Sequence, residues 1–289
     1  MMNSDDTNLM NPLVSVIIPA RSRPAMLREA VESVVGQTYR PLEIVIVLTG
    51  ATEETTAVAR SFEVNYSARI VVTPPRNLAT SRNNGIKVAT GEWITFLDDD
   101  DLFAPTKIQR QVETANSTGA SVITNSWIRF DESGPITVWT AHPDKHLPTG
   151  LSFAEALMTA NCLSNGLLVR AEIMKHLGGF DEKFDACEDW DMWRRIAHRH
   201  EIVYMDEPFV HIRVHNTNMS SRRWLMMSTT FRHLVKMHFD TPSHLRYMLP
   251  RARSAIIKNL LDSVYESLND QSGGRIRALV RALRQVAHG

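Results

Sequence analysis

Four consecutive carboxylates, Asp98-Asp99-Asp100-Asp101, follow the apolar, β-prone stretch Trp93-Ile94-Thr95-Phe96-Leu97. Adjacent carboxylates repel one another and are unhelpful in a core. At the carboxyl end of a strand they make a hard-oxygen ligand set for a divalent cation, Mg²⁺ or Mn²⁺. A cation held there can neutralise a diphosphate. The strand is expected over Glu92–Leu97 and the following helix near Pro105, because proline suits the first helical turn. That places the run where open α/β sheets bind their ligands. A bare acidic run otherwise reads as a solvated turn, and it is the position between strand and helix that favours the metal site. A second acidic pair, Glu188-Asp189, opens an amphipathic stretch, where by itself it reads as a complement to the helix dipole.

The elements that must position these groups alternate along the chain. Strands are expected at Leu13–Ile18 (ended by Pro19), Glu43–Leu48 and Ala68–Val72. Helices are expected at Pro24–Val35, Thr52–Phe62 and Ser81–Ala89, with Leu27, Ala30, Val31 and Val34 on one face of the first. Strands apolar on both faces, alternating with helices, indicate an α/β fold with a mainly parallel sheet covered on both sides. Pro105–Ser117 reads as a helix and Ala120–Phe130 as a strand. The turn residues Glu132-Ser133-Gly134-Pro135 then open a mixed or antiparallel second half. Further elements are a strand at Gly166–Arg170, a helix at Glu188–His200 and a strand at Pro208–Val214. Helical pieces from Met219 onward break near Thr241-Pro242 and Ser272-Gly273-Gly274.

The chain has 289 residues, 43% of them hydrophobic and 22% charged, which suits either one large globular domain or a domain with an appendage. The expected division is a polar tail at 1–11, a domain at 12–218 and a helical extension at 219–289. No apolar run approaches the roughly 20 residues of a membrane span. The first residues lack the regions of a signal peptide. The 2 cysteines, Cys162 and Cys187, form neither a disulfide framework nor a zinc site. A cytoplasmic location is the resulting expectation. Net charge is zero, yet from Met219 on there are 12 of the 32 basic residues and only 4 of the 32 acidic ones. The last helix places Ile276, Leu279, Val280, Leu283 and Ala287 on one face, with Arg275, Arg277, Arg281 and Arg284 as its only charges. It can lie peripherally on an anionic membrane or pack back on the domain, and the sequence leaves both open.

Taken in order, several motifs resemble the family 2 glycosyltransferases, which have the GT-A fold. They are the first strand ending in Pro19, then Val35-Gly36-Gln37-Thr38-Tyr39, Glu43-Ile44-Val45-Ile46-Val47 and Ser81-Arg82-Asn83-Asn84-Gly85. Next come Gly91-Glu92-Trp93 running into Asp98–Asp101, Gly178-Gly179-Phe180-Asp181-Glu182, and Glu188-Asp189-Trp190-Asp191-Met192-Trp193. The resemblance spans about Pro12 to Ser220. It implies an inverting, metal-dependent transfer of a sugar from a nucleotide donor to a hydroxyl of a glycan or glycolipid acceptor. By that resemblance Asp98-Asp99-Asp100 is the DxD element. Asp100 is then the main metal ligand, and Asp98 contacts the donor ribose or the metal's waters. Glu188-Asp189 is the ED element, with Asp189 as general base. Arg82 is expected to contact the donor base or phosphates, and His215 to close over the diphosphate as a third metal ligand. Trp190 is a candidate for an acceptor platform, and Trp193 is expected in the core.

The chain departs from that pattern in two places. The aspartates that usually end the second strand, one of which reads the donor base, are replaced by Leu48-Thr49-Gly50-Ala51. The segment after the first strand's proline is Ala20-Arg21-Ser22-Arg23. Donor contacts are therefore expected from Pro19, Ala20 and Arg21, and either the donor is not a UDP-sugar or Thr49 or Arg21 takes over base recognition. A non-catalytic nucleotide- or glycan-binding member of the same fold is the alternative. A dinucleotide oxidoreductase, an NTPase and a nucleophile-elbow hydrolase find no support, since none of their glycine motifs occurs. Nucleic-acid binding has only the basic tail in its favour.

Overall fold

The computed structural model describes residues 11–139 and 164–215. The 1–10 tail, Cys162 and the helical pieces expected from Met219 lie outside the described residues.

Three strands, β1 (Val14–Ala20), β2 (Leu42–Thr49) and β3 (Arg69–Thr73), alternate with α1 (Pro24–Val35), α2 (Glu53–Tyr66) and α3 (Leu78–Val88). Then come β4 (Trp93–Phe96), a short β5 (Leu102–Phe103), α4 (Lys107–Thr118), β6 (Val122–Asp131) and β7 (Gly134–Trp139). A 3₁₀ turn, Ser164–Gly166, leads to β8 (Leu168–Arg170), α5 (Ala171–His176), α6 (Glu188–Ala197) and β9 (Val203–Arg213). The strands form one sheet in the order β3-β2-β1-β4-β8-β6-β9-β5, with β7 beside β6. The first half, β3 through β4, is parallel. In the second half β8 runs antiparallel to both β4 and β6, while β6 and β9 are parallel. The sheet is thus parallel where the strand–helix rhythm predicts it and mixed where the rhythm breaks.

Side chains of a strand alternate between faces, and here both faces are buried. Val14, Val16, Ile18, Ile44, Ile46 and Trp93 meet α1, α2 and α4 on one side. Ile17, Val45, Val47, Ile94 and Phe96 meet α3, α5 and α6 on the other. The chain leaves β1 to pair with β2 on one side and returns with β4 on the other. A crevice therefore opens at the carboxyl ends of β1 and β4, the switch point of the sheet. Asp98 begins in that crevice, two residues past the end of β4.

Two glycines let α3 sit against this crevice. A Cβ on Gly85 would collide with the Ile17 side chain, so glycine brings the helix onto the sheet. Gly179 has φ +75°, and a Cβ there would strike the Asn83 side chain. Asn83 instead accepts from Phe180 N at 2.7 Å and donates to Phe180 O at 2.9 Å. The Asn83 amide thereby fixes the turn that leads into α6.

Candidate active site

The acidic run makes a tight turn, Asp101 N donating to Asp98 O at 3.2 Å. Each carboxylate has its own partners. Asp98 Oδ1 accepts from Arg82 Nη2 at 2.7 Å. Asp99 accepts from Arg23 Nη1 at 2.9 Å and from Arg21 N at 3.3 Å. Asp100 Oδ2 lies 2.9 Å from Arg23 Nη1 and 3.0 Å from His215 Nε2. Asp101 accepts from Arg213 N at 2.9 Å and from Asn165 Nδ2 at 2.5 Å. Asn165 also accepts from Asp98 N at 3.2 Å, so one buried amide ties both ends of the turn.

Burial and neighbouring charge raise the proton affinity of two of these acids, Asp99 and Asp101. Burial, then the charge of Asp100, pushes Asp99 up to about 6, against the pull of Arg23. Burial pushes Asp101 well above the usual range, with Asp100 and Asp98 adding to it. Oxygens of Asp98, Asp100 and Asp101 all lie within 4.8 Å of one another and could share one ion. Hard carboxylate oxygens at this spacing, with an imidazole beside Asp100, suit Mg²⁺ or Mn²⁺.

Helix α6 carries the second acidic pair, and Cys187 ahead of it takes a left-handed backbone (φ 56°, ψ 24°). Glu188 turns inward and pairs with Arg82 Nη1, both side chains almost completely buried. Arg82 is thus clamped between Asp98 and Glu188, linking the two acidic groups through one guanidinium. Asp189 stays partly exposed and accepts from Trp190 N at 2.9 Å. Its surroundings, led by burial and then by the charge of Glu188, push it up to about 7, although Arg82 opposes. A carboxylate of that basicity at a crevice can take a proton near neutral pH.

The other residues singled out from the sequence fall in varied places. Pro19 and Ala20 are in β1, paired with Val47 and Leu48, and line the end of the strand. Arg21 is exposed just beyond it. The Thr49 hydroxyl is buried against Ser81 Oγ at 2.7 Å and Thr73 Oγ1 at 3.2 Å, tying β2 to α3 and β3. Trp193 packs in the core cluster under α3, and Trp190 is also buried. Arg23, Asn165 and Arg213 were not anticipated. Arg213 had a signal, since it precedes His215 by two residues and shares its side of an extended chain. Asn165 had none, because its partners are 64 and 67 residues away.

Comparison with known proteins agrees with this geometry. Residues 15–176 match Glycosyl transferase family 2, and the chain belongs to that family. A glycosyltransferase of Rickettsia typhi is 27% identical over 219 residues, covering 74% of this chain and 68% of the relative. One from Methanocaldococcus jannaschii is 26% identical and covers 81% of both. The chain spans only 36% of a longer relative in Rickettsia felis. Among solved structures, the mannosyltransferase PcManGT from Pyrobaculum calidifontis, in complex with GDP-Man and Mn²⁺, superposes with a TM-score of 0.65 at 16% identity. That match covers 97% of this chain and 82% of the other. TarS residues 1–349 of S. aureus give 0.60 at 14% identity, over 95% and 88%. The fold is therefore GT-A, and the protein is a glycosyltransferase. Among the described residues no helix is long and apolar enough to cross a membrane.

Proposed function

We propose that the protein transfers a sugar, with inversion, from a nucleoside-diphosphate donor to a hydroxyl of a glycan or glycolipid, and depends on a divalent cation. The observation that carries this reading is the adjacency of two acidic groups at one crevice: the clustered Asp98, Asp100 and Asp101, and the Glu188-Asp189 pair with its raised Asp189, the two groups joined by Arg82 through Asp98 and Glu188. Asp98, Asp100 and His215 would hold Mn²⁺ or Mg²⁺, with Asp101 anchoring the turn. A cation there supplies Lewis-acid stabilisation of the departing diphosphate. Asp189 takes the acceptor hydroxyl's proton as that oxygen attacks the anomeric carbon. Glu188 is committed to Arg82, so of this pair only Asp189 is available, as base, which supports a single displacement and hence inversion. Arg82 holds Asp98 and Glu188 at a fixed separation.

The neighbours' donors, GDP-Man and UDP-GlcNAc, support a nucleotide-sugar co-substrate for this chain. With Thr49 engaged by Ser81 and Thr73, base recognition falls to Arg21 and the backbone after Pro19. We place the enzyme in surface polysaccharide or glycolipid assembly, at the cytoplasmic membrane face, with the basic tail as its contact. The test is turnover of a panel of sugar nucleotides with Mn²⁺, then with EDTA. Cation-dependent turnover lost in Asp189→Asn supports the reading. No turnover of any donor would leave the non-catalytic binder, which the missing aspartates at Leu48-Thr49 favour.

A further inference from the structure

The basic groups around the acidic turn are not equally held. Arg82 is 3% exposed, His215 15% and Arg213 18%, whereas Arg23 is 27% exposed. Arg23 stands directly before Pro24 at the start of α1, where the chain leaves β1. Its Nη1 sits 2.9 Å from Asp99 Oδ1 and 2.9 Å from Asp100 Oδ2. Asp100 Oδ2 is also the atom facing His215. Asp100 belongs to the trio that could share a cation, while Asp99 does not. A guanidinium and a divalent cation therefore compete for the same carboxylate. With both at contact distance their like charges repel across one carboxylate, which weakens the binding of each.

We propose that Arg23 is the resident counter-ion of the cation site. It pairs with Asp99 and Asp100 when no metal is present and must give up Asp100 for a divalent ion to bind. This rests on the acidic turn being the cation site of the proposed function. It accounts for a buried acidic run whose carboxylates are matched by protein groups, Arg82, Arg23, His215 and the Arg213 and Asn165 donors. It also accounts for an arginine at a helix start, where a positive side chain gains nothing from the dipole. Asp99 then plays a part distinct from its neighbours, keeping Arg23 close after Asp100 has been surrendered. The released guanidinium stays beside the bound cation and adds a second positive group for an arriving diphosphate.

Mn²⁺ alone is the probe, with free ion counted by its paramagnetic resonance signal and no nucleotide present. An ion pair at this exposure corresponds to about a fivefold step in an equilibrium constant. Arg23→Gln should therefore bind Mn²⁺ about fivefold more tightly than the wild type, while melting at a lower temperature in EDTA. Arg28→Gln removes the same charge from an exposed position further along α1 and should leave Mn²⁺ affinity within about twofold. Equal or weaker binding by Arg23→Gln overturns the proposal, and so does equal tightening by Arg28→Gln, which would mean a general charge effect. If neither the wild type nor Arg23→Gln binds Mn²⁺, the cation reading itself falls and takes this inference with it.

Discussion

Replacing Asp189 with asparagine should stabilise the protein while removing its activity. The folded protein holds the Asp189 proton up to about pH 7, against 3.8 for the free group. The unfolded chain releases that proton near 3.8, so the folded form binds more protons in between. Stability contributed by this group is therefore lost as pH rises from about 4 to about 7, and the cost is complete above that. At about 1.4 kcal/mol per unit the whole shift would amount to about 4 kcal/mol. Asp189 keeps part of its surface in water, and discounting for screening leaves on the order of 2 kcal/mol. Asparagine keeps an oxygen for Trp190 N and carries no charge. Thermal melts in EDTA at pH 4, 6 and 8 should show the variant level with wild type at pH 4 and about 5 °C above it at pH 8. Turnover should fall by about a hundredfold or more. A variant that is less stable at pH 8, or a difference that does not change with pH, would mean that burial and the Glu188 charge do not raise Asp189.

The neighbouring carboxylate should behave oppositely: Glu188→Gln leaves the buried Arg82 guanidinium short of a charge partner and should cost about 3 kcal/mol in urea unfolding. Asp100→Asn should weaken Mn²⁺ binding at least tenfold with little loss of stability, read by the same resonance titration. The wild-type kcat/KM should rise with pH through a single ionisation near 7, because the base must be deprotonated; a profile flat from pH 5 to 9 would remove Asp189 from that role. Gly85→Ala forces a methyl into Ile17 and should cost about 1–3 kcal/mol, and by lifting α3 it should also lower turnover more than its stability loss explains.

The parallel half of the sheet was legible because β1, β2 and β4 are apolar on both faces, which marks strands covered on two sides. Boundaries were less so. Helix α3 begins three residues earlier than its apolar spacing suggests, since the Asn77 side chain caps it by accepting from Thr80 N at 3.0 Å. β9 begins at Val203 although Pro208 lies inside it, and the pairing with β6 shifts register at that point to absorb the missing donor. β5, with two residues, and α5, with six, are too short to carry a period. The Thr49 hydroxyl gave no hint in sequence that it would be turned to Ser81 and Thr73, because those partners arrive from α3 and β3.

From sequence alone came the acidic turn at a strand end, the acidic pair at a helix start, and the order of motifs that identifies the family. Those are local facts, written in residue type and spacing within a few positions. Who pairs with whom was settled in three dimensions: Arg82 with Glu188 across 106 positions, Arg23 with Asp99 across 76, and His215 with Asp100 across 115. Nothing local encodes those pairings. They arise because the carboxyl ends of β1 and β4, the start of α6 and the end of β9 converge on one crevice. There buried charge must find an opposite charge, and the low dielectric makes each choice of partner matter.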